Sequence, residues 1–234
     1  MQKVEVTSKY SDNYQVNEAF KALRTNILFC GSDIKVIVVT SCQPSEGKSS
    51  VSAETAIAMA QMGKKVLLID ADLRKSVMAA KYHIGSEVKG LSELLSGLAT
   101  LEQVLCATTT ENLHVIFSGP VPPNPAELLG GKQIQILLEN LRDVYDYIII
   151  DSPPLGSVID SAVVAGFCDG AILVVAADQI KYSFAQGVKE QFEKSGCKIL
   201  GAVLNRVEMR KSAYGKYYNG HYGRYYGKNG SQYQ

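Results

Sequence analysis

Apolar residues recur along this chain in two rhythms. Short runs that are apolar at nearly every position alternate with longer stretches in which every third or fourth residue is apolar. The runs KVIVVTS (35–41), KVLLID (65–70), YIIID (147–151), AILVVAA (171–177) and KILGAVLN (198–205) are rich in β-branched residues, and NLHVIFSG (112–119) is a further candidate. A continuous run suits a parallel strand covered on both faces, whereas a strand with one wet face alternates. Between the first two runs, the alanine-rich stretch 49–62 predicts a helix stopped by Gly63. Earlier in the chain, residues 17–29 set Phe20, Leu23, Ile27 and Leu28 at helical spacing, with Glu18, Lys21 and Arg24 recurring every third residue nearby.

These elements predict an α/β domain of the P-loop NTPase-like kind over residues 32–211, a mostly parallel sheet with helices on both faces. An amphipathic helix precedes it in residues 1–31. Residues 212–234 close the chain with YGKYYNGHYGRYYGKNGSQYQ from residue 214, seven tyrosines spaced by glycines and no leucine, valine or isoleucine. Without core-forming residues, and with glycines that make order entropically costly, this stretch reads as a disordered, tyrosine-rich tail.

Bulk composition narrows the reading further. At 234 residues, 46% hydrophobic and 20% charged, the chain can bury one good core. A formal charge of +1 gives no field that would favour nucleic acid as a partner. The tail is locally different, with Lys216, Arg224 and Lys228 and no carboxylate from Ser212 onward. Five scattered cysteines with no CxxC spacing fit neither a disulfide framework nor a zinc site and point to a reducing, cytoplasmic compartment. No segment approaches the about 20 apolar residues of a membrane span, and MQKVEVTSKY lacks the order of a signal peptide, so any membrane association is expected through a partner.

Candidate chemistry gathers at the ends of the runs. PSEGKSS (44–50) lies between the first strand and the alanine-rich helix, the context in which a Gly-Lys-Ser sequence becomes a phosphate loop. Gly47 lets the backbone approach a phosphate, the helix N-terminus offers N–H groups, Lys48 reaches β- and γ-phosphates, and Ser49 can hold magnesium. The position six residues before the lysine, usually glycine, is Cys42. Asp70 and Asp72 end the second strand and Asp151 ends another, so three carboxylates should converge beside the loop at the carboxyl edge of the sheet. Magnesium is usually held by one or two carboxylates plus phosphate oxygens, which matches this set and predicts ATP and Mg²⁺ as cofactors.

EAFKALRTN, PSEGKSS, LLIDADLRK, SGPVPPNPAELL, YIIIDSPP, VLNR and the tyrosine tail together resemble the bacterial tyrosine kinases, in particular the cytoplasmic chain of the two-chain Gram-positive form that controls capsule and exopolysaccharide synthesis. The resemblance runs over essentially the whole chain. It implies an autophosphorylating, non-specific protein-tyrosine kinase with Pro44, Ser45, Glu46, Gly47, Lys48, Ser49, Ser50, Asn205 and Arg206 at the nucleotide. It further implies Lys48, Asp70 and Asp72 as catalytic residues, with Asp70 receiving the tyrosine proton, and Ser49, Asp72 and Asp151 around the metal. Tyr214, Tyr217, Tyr218, Tyr222, Tyr225, Tyr226 and Tyr233 become phosphoacceptors, each tail reaching a neighbouring subunit's site. Glu18, Lys21 and Arg24 match a helix that builds a ring of subunits, with lysine where the family carries the middle arginine. A membrane-spanning activator of the polysaccharide co-polymerase type is implied as partner, which would recruit the chain to the inner face of the membrane.

Three other classes share parts of this pattern. A partitioning or positioning switch ATPase of the same deviant fold would carry a signature lysine five residues before the loop lysine, where this chain has Gln43, and would lack the tail. An iron–sulfur carrier would need paired cysteines, and none is present. A nucleotide-binding domain without activity, using the tail only for contacts, would bind ATP but yield no phosphotyrosine.

Overall fold

Val36–Ser41 is buried at all six positions, and Val66–Asp70 and Tyr147–Asp151 at all five. Strands of this kind must lie inside a sheet covered on both sides. The computed structural model describes residues 1–85 and 88–207 and arranges them as β1 (Gln2–Val4), α1 (Tyr14–Leu28), β2 (Val36–Ser41), α2 (Lys48–Ala60), β3 (Val66–Asp70), α3 (Met78–Lys81), α4 (Leu91–Leu95), α5 (Leu101–Val104), β4 (Leu105–Thr108), β5 (Leu113–Ile116), α6 (Pro125–Gly130), α7 (Lys132–Leu141), β6 (Tyr147–Asp151), α8 (Asp160–Ala165), β7 (Gly170–Ala176), α9 (Tyr182–Glu193) and β8 (Ile199–Asn205). The tyrosine tail expected over residues 212–234 lies outside the described residues.

The eight strands form one sheet in the order β1-β4-β5-β3-β6-β2-β7-β8. All neighbours are parallel except β4 and β5. Successive side chains of a strand point to opposite faces, and each face carries its own core. Val36, Val38, Leu67, Ile69, Ile148 and Ile150 pack on one side with Leu138 and Leu141 of α7, Val164 of α8 and Phe192 of α9. Ile37, Val39, Leu68 and Ile149 pack on the other with Ala53, Ala56 and Ile57 of α2 and Ile27 of α1. Small alanines let α2 lie close to the sheet, which sets the loop before it against the strand ends.

Two strands escaped the apolar pattern because they are too short to show a period. β1 has three residues and β4 four, and β4 follows α5 without an intervening loop. β1 is held at the edge by pairing with β4, and the buried Val6 just beyond it is flanked by hydrogen bonds to Thr109 and Thr110. Helix α1 starts at Tyr14, ahead of the expected residue 17, because the Asn13 side chain accepts the Val16 N–H at 3.2 Å and so caps it. No helix among the described residues is long and apolar enough to cross a membrane.

The strands that matter for chemistry are neighbours in space. β3, β6 and β2 stand side by side, so Asp70–Asp72, Asp151 and the loop after Ser41 leave the sheet at one edge.

Candidate active site

The loop from Cys42 to Gly47 turns the chain from β2 into α2. Ser45 and Gly47 take left-handed backbone angles, with φ of +65° and +91°. Glycine is required at the second position, because a Cβ on Gly47 would run into the side-chain amide of Asn205. The Ser50 and Val51 N–H groups close back onto the Gly47 carbonyl. None of the N–H groups of Gly47, Lys48 and Ser49 has an acceptor among the described residues. These orphan donors at the positive end of α2 form a cradle for phosphate oxygens.

Glu46 is 1% exposed, and its side chain is turned into the protein. Its carboxylate accepts the N–H groups of Gln43 at 2.6 Å and Ala176 at 3.1 Å, while its carbonyl accepts the Asn205 side-chain N–H at 2.9 Å. Both residues were expected at the nucleotide; they lie beneath the loop and tie it to the ends of β7 and β8. Arg206 follows β8 as an exposed residue with a left-handed backbone. Cys42 fills the position where the motif commonly has glycine. Burial first, and Glu46 second, push its thiol up to about 11, so it is an unreactive packing group.

Lys48 begins α2 and faces the acidic strand ends. Its Nζ lies 3.0 Å from Asp72 Oδ2, 3.7 Å from Asp151 Oδ2 and 3.3 Å from the Ser49 hydroxyl. Burial pulls the ammonium pKa down, but Asp151 and Asp72 together outweigh it and the net direction is up. Asp70 and Asp151 are buried register partners on β3 and β6. Burial and the Asp151 charge push Asp70 up to about 7, against the pull of Ser76 and Lys48. Asp151 is also raised, by burial first, with Lys48 and the Ser49 and Ser52 hydroxyls pulling it back.

The three carboxylates thus converge as expected, but no group of three or more His, Cys, Asp or Glu among the described residues is arranged to hold a metal alone. The donors present fit a magnesium–nucleotide. Buried carboxylates exceed the single ammonium facing them, which leaves negative charge for a divalent cation to neutralise, and free N–H groups stand ready for phosphate oxygens.

Several residues at the site gave little sign in the sequence. Ser76 hydrogen-bonds Asp70 Oδ2, and the Asp72 N–H donates to Asp70 Oδ1 at 3.2 Å. Ser52 lies 3.1 Å from Asp151 Oδ1, and its place four residues after Lys48, on the same helix face, is the signal that could have found it. Arg74 holds the fully buried Asp160 through two bonds of 2.7 and 3.0 Å, linking the turn after β3 to the start of α8. Of the helix trio, Lys21 and Glu18 form an exposed ion pair at 2.7 Å, whereas Arg24 turns to α2 and donates to the Ala58 carbonyl at 2.9 Å. The seven candidate acceptor tyrosines lie outside the described residues.

Fold and loop together define a nucleotide-binding P-loop protein of the mostly parallel α/β class. Residues 34–201 match the AAA domain family. The chain is 44% identical over 219 residues to the tyrosine-protein kinase CpsD of Streptococcus agalactiae, covering 94% of this chain and 95% of that one. It superposes on the kinase domain of Escherichia coli tyrosine kinase ETK with a TM-score of 0.82 and 34% identity, over 90% of this chain and 84% of that one. A more distant likeness, with a TM-score of 0.63 and 26% identity over 75% of this chain and 72% of that one, is to the septum site-determining protein MinD of Pyrococcus horikoshii complexed with Mg-ADP. The chain belongs to the bacterial tyrosine-protein kinase family.

Proposed function

We propose that this chain transfers the γ-phosphoryl group of Mg-ATP to tyrosine hydroxyls, first to those of its own residues 214–233, and that it does so between subunits. The observation that supports this best is the bracket around Lys48. A phosphate-loop lysine held between Asp72 and Asp151, beside a buried Asp70, gathers in one place a cation for the phosphoryl oxygens, carboxylates for a metal and a base near neutral pH.

In this reading the N–H groups of Gly47 to Ser49 receive the phosphates, and Lys48 leaves Asp72 to reach the β- and γ-oxygens. Ser49, Asp72 and Asp151 hold magnesium, which supplies charge neutralisation on the phosphates when bound. Asp70 receives the proton of the tyrosine, whose pKa near 10 makes orientation and base assistance useful. Most of the acceleration is assigned to positioning and electrostatics.

Trans phosphorylation in a ring assembled through Glu18, Lys21 and Arg24, activation by a membrane-spanning adaptor at the inner face of the membrane, and control of capsular polysaccharide synthesis complete the proposal. Each added phosphate brings roughly −1.5 to −2 charge, which would reverse the basic tail and loosen the ring.

Intact-mass and phosphotyrosine mapping after incubation with Mg-ATP tests it, with Lys48→Met and with or without the activator's cytoplasmic segment. Phosphate on residues 214–233 only in the chain carrying Lys48 is the expected result. ATP hydrolysis with an unmodified tail in every condition would favour a switch ATPase instead.

A further inference from the structure

A cavity of about 480 Å³ opens between the N-terminal strand and α3, within the range of small-ligand sites. Lys3, Lys9, Lys81 and His83 line it, with Glu5 the acidic residue among them. One donor there lacks an acceptor and a second has a single neutral one. The Tyr82 hydroxyl is buried in a residue 8% exposed and has no hydrogen-bond partner among the described residues. Lys81 is half-buried, its Nζ donates to the Ser50 hydroxyl at 3.2 Å and stands 5.4 Å from the Tyr82 ring centroid, and no carboxylate among the described residues lies within 4.0 Å of it. The nearby Glu54 is already engaged by the Ser8 hydroxyl at 2.6 Å and the Lys9 N–H at 3.0 Å.

An unpaired buried hydroxyl and a part-buried ammonium without a counter-ion cost free energy that a bound anion would remove. Burial holds the Lys81 pKa below its ordinary value, with Glu54 and then Asp151 pulling it back up and Lys9 pushing it further down. The same wall adjoins the active site, since Ser50 follows the phosphate-loop serine on α2.

We propose that this cavity is a phosphotyrosine-binding site whose occupant is the phosphorylated tail of this chain, residues 214–233. The proposal rests on the tyrosine-kinase reading above for the origin of the phosphate. Charge complementarity selects the occupant. Unmodified, the tail carries Lys216, Arg224 and Lys228 and no carboxylate, so a lysine-lined cavity repels it. One phosphotyrosine supplies an aromatic ring for the apolar wall of Val4 and Ile84 and a dianion for Lys81, Lys9 and the Tyr82 hydroxyl. The product of the reaction would thereby be held beside the site that made it, so that tail phosphorylation feeds back on the enzyme.

The test is fluorescence anisotropy of synthetic peptides spanning residues 214–226, with and without phosphate on Tyr218, titrated with the full chain saturated with Mg-ADP. The phosphopeptide is expected to bind at least about tenfold tighter than the plain peptide, and Lys81→Met to lose about tenfold of that affinity. Tyr82→Phe, which preserves the packing, should lose several-fold with an unchanged melting temperature. Equal affinity for both peptides, or full phosphopeptide affinity in both variants, would overturn the proposal. So would binding to vesicles containing phosphatidylserine without binding to the phosphopeptide, which would assign the cavity to lipid headgroups. Because the peptide is phosphorylated chemically, failure here is distinct from failure of the kinase reading, which the mass analysis decides separately.

Discussion

Asp70 and Asp151 are register partners on the adjacent parallel strands β3 and β6, and both carboxyl groups are buried. Partners in a parallel ladder share a face, so two acids stand side by side away from water with Lys48 as the cation in front of them. Like charges so placed destabilise a sheet. Lys48, 3.7 Å from Asp151, offsets part of that cost.

The Asp70 carboxyl, held up to about 7, binds its proton more tightly in the folded chain than in the unfolded one, where the value is about 3.9. Its contribution to stability is therefore lost as pH rises from about 4 to about 7. Asp70→Asn should stabilise the nucleotide-free protein at pH 8 by an amount on the order of 1–4 kcal/mol and change it little at pH 4.5. Urea unfolding at the two pH values measures this, and an Asn variant no more stable at pH 8 would refute the assignment. Kinase activity should fall in the same variant.

Removing the ammonium has the opposite sign. Lys48→Met leaves Asp72 and Asp151 buried without their cation, and at pH 8 it should destabilise the nucleotide-free chain by about 3 kcal/mol. Adding Asp70→Asn to that variant should recover part of the loss, because the two sites are coupled. Thermal melts of the two single variants and the double variant give the coupling directly.

Gly47→Ala tests the cradle. The left-handed backbone makes an alanine strained by about 1–3 kcal/mol, and its methyl meets the Asn205 amide. Calorimetric ADP affinity should drop at least about tenfold, since a misplaced loop cannot aim its N–H groups at phosphate. Asn205→Ala in the same background should relieve the collision but leave the backbone strain, so recovery is expected to be partial.

Arg74 and Asp160 make a further, separable prediction. Arg74→Lys keeps the charge but cannot reproduce the two-bond fork, and with the arginine 40% exposed the expected loss is about 1 kcal/mol. Arg74→Met leaves a fully buried carboxyl without its partner and should lose about 2–3 kcal/mol. Because Arg74 sits two residues after Asp72, kcat should fall more than KM rises in both variants.

Periodicity and spacing carried much of this protein. A run such as VIVVT has one physical outcome in a globular chain, a strand buried on both faces, so β2, β3, β6 and β7 and the positions of Lys48, Asp70 and Asp151 at their ends are legible in the sequence alone. Local chemistry of this kind needs no partner distant in sequence. Which strands became neighbours was not legible, because it depends on how two faces of helices close over the sheet. That choice set β3 against β6 and so made Asp70 and Asp151 partners, raising one of them toward neutrality. Contacts across 159 residues turned Asn205 into a brace for the phosphate loop, and contacts across 86 joined Arg74 to Asp160. Three-residue β1 and four-residue β4 left no period to read and exist only because a sheet edge was there to accept them. Short-range order follows from side-chain size and polarity repeated along the chain, whereas the pairing of distant carboxylates, lysines and hydroxyls arises only when packing brings them to one edge of the sheet.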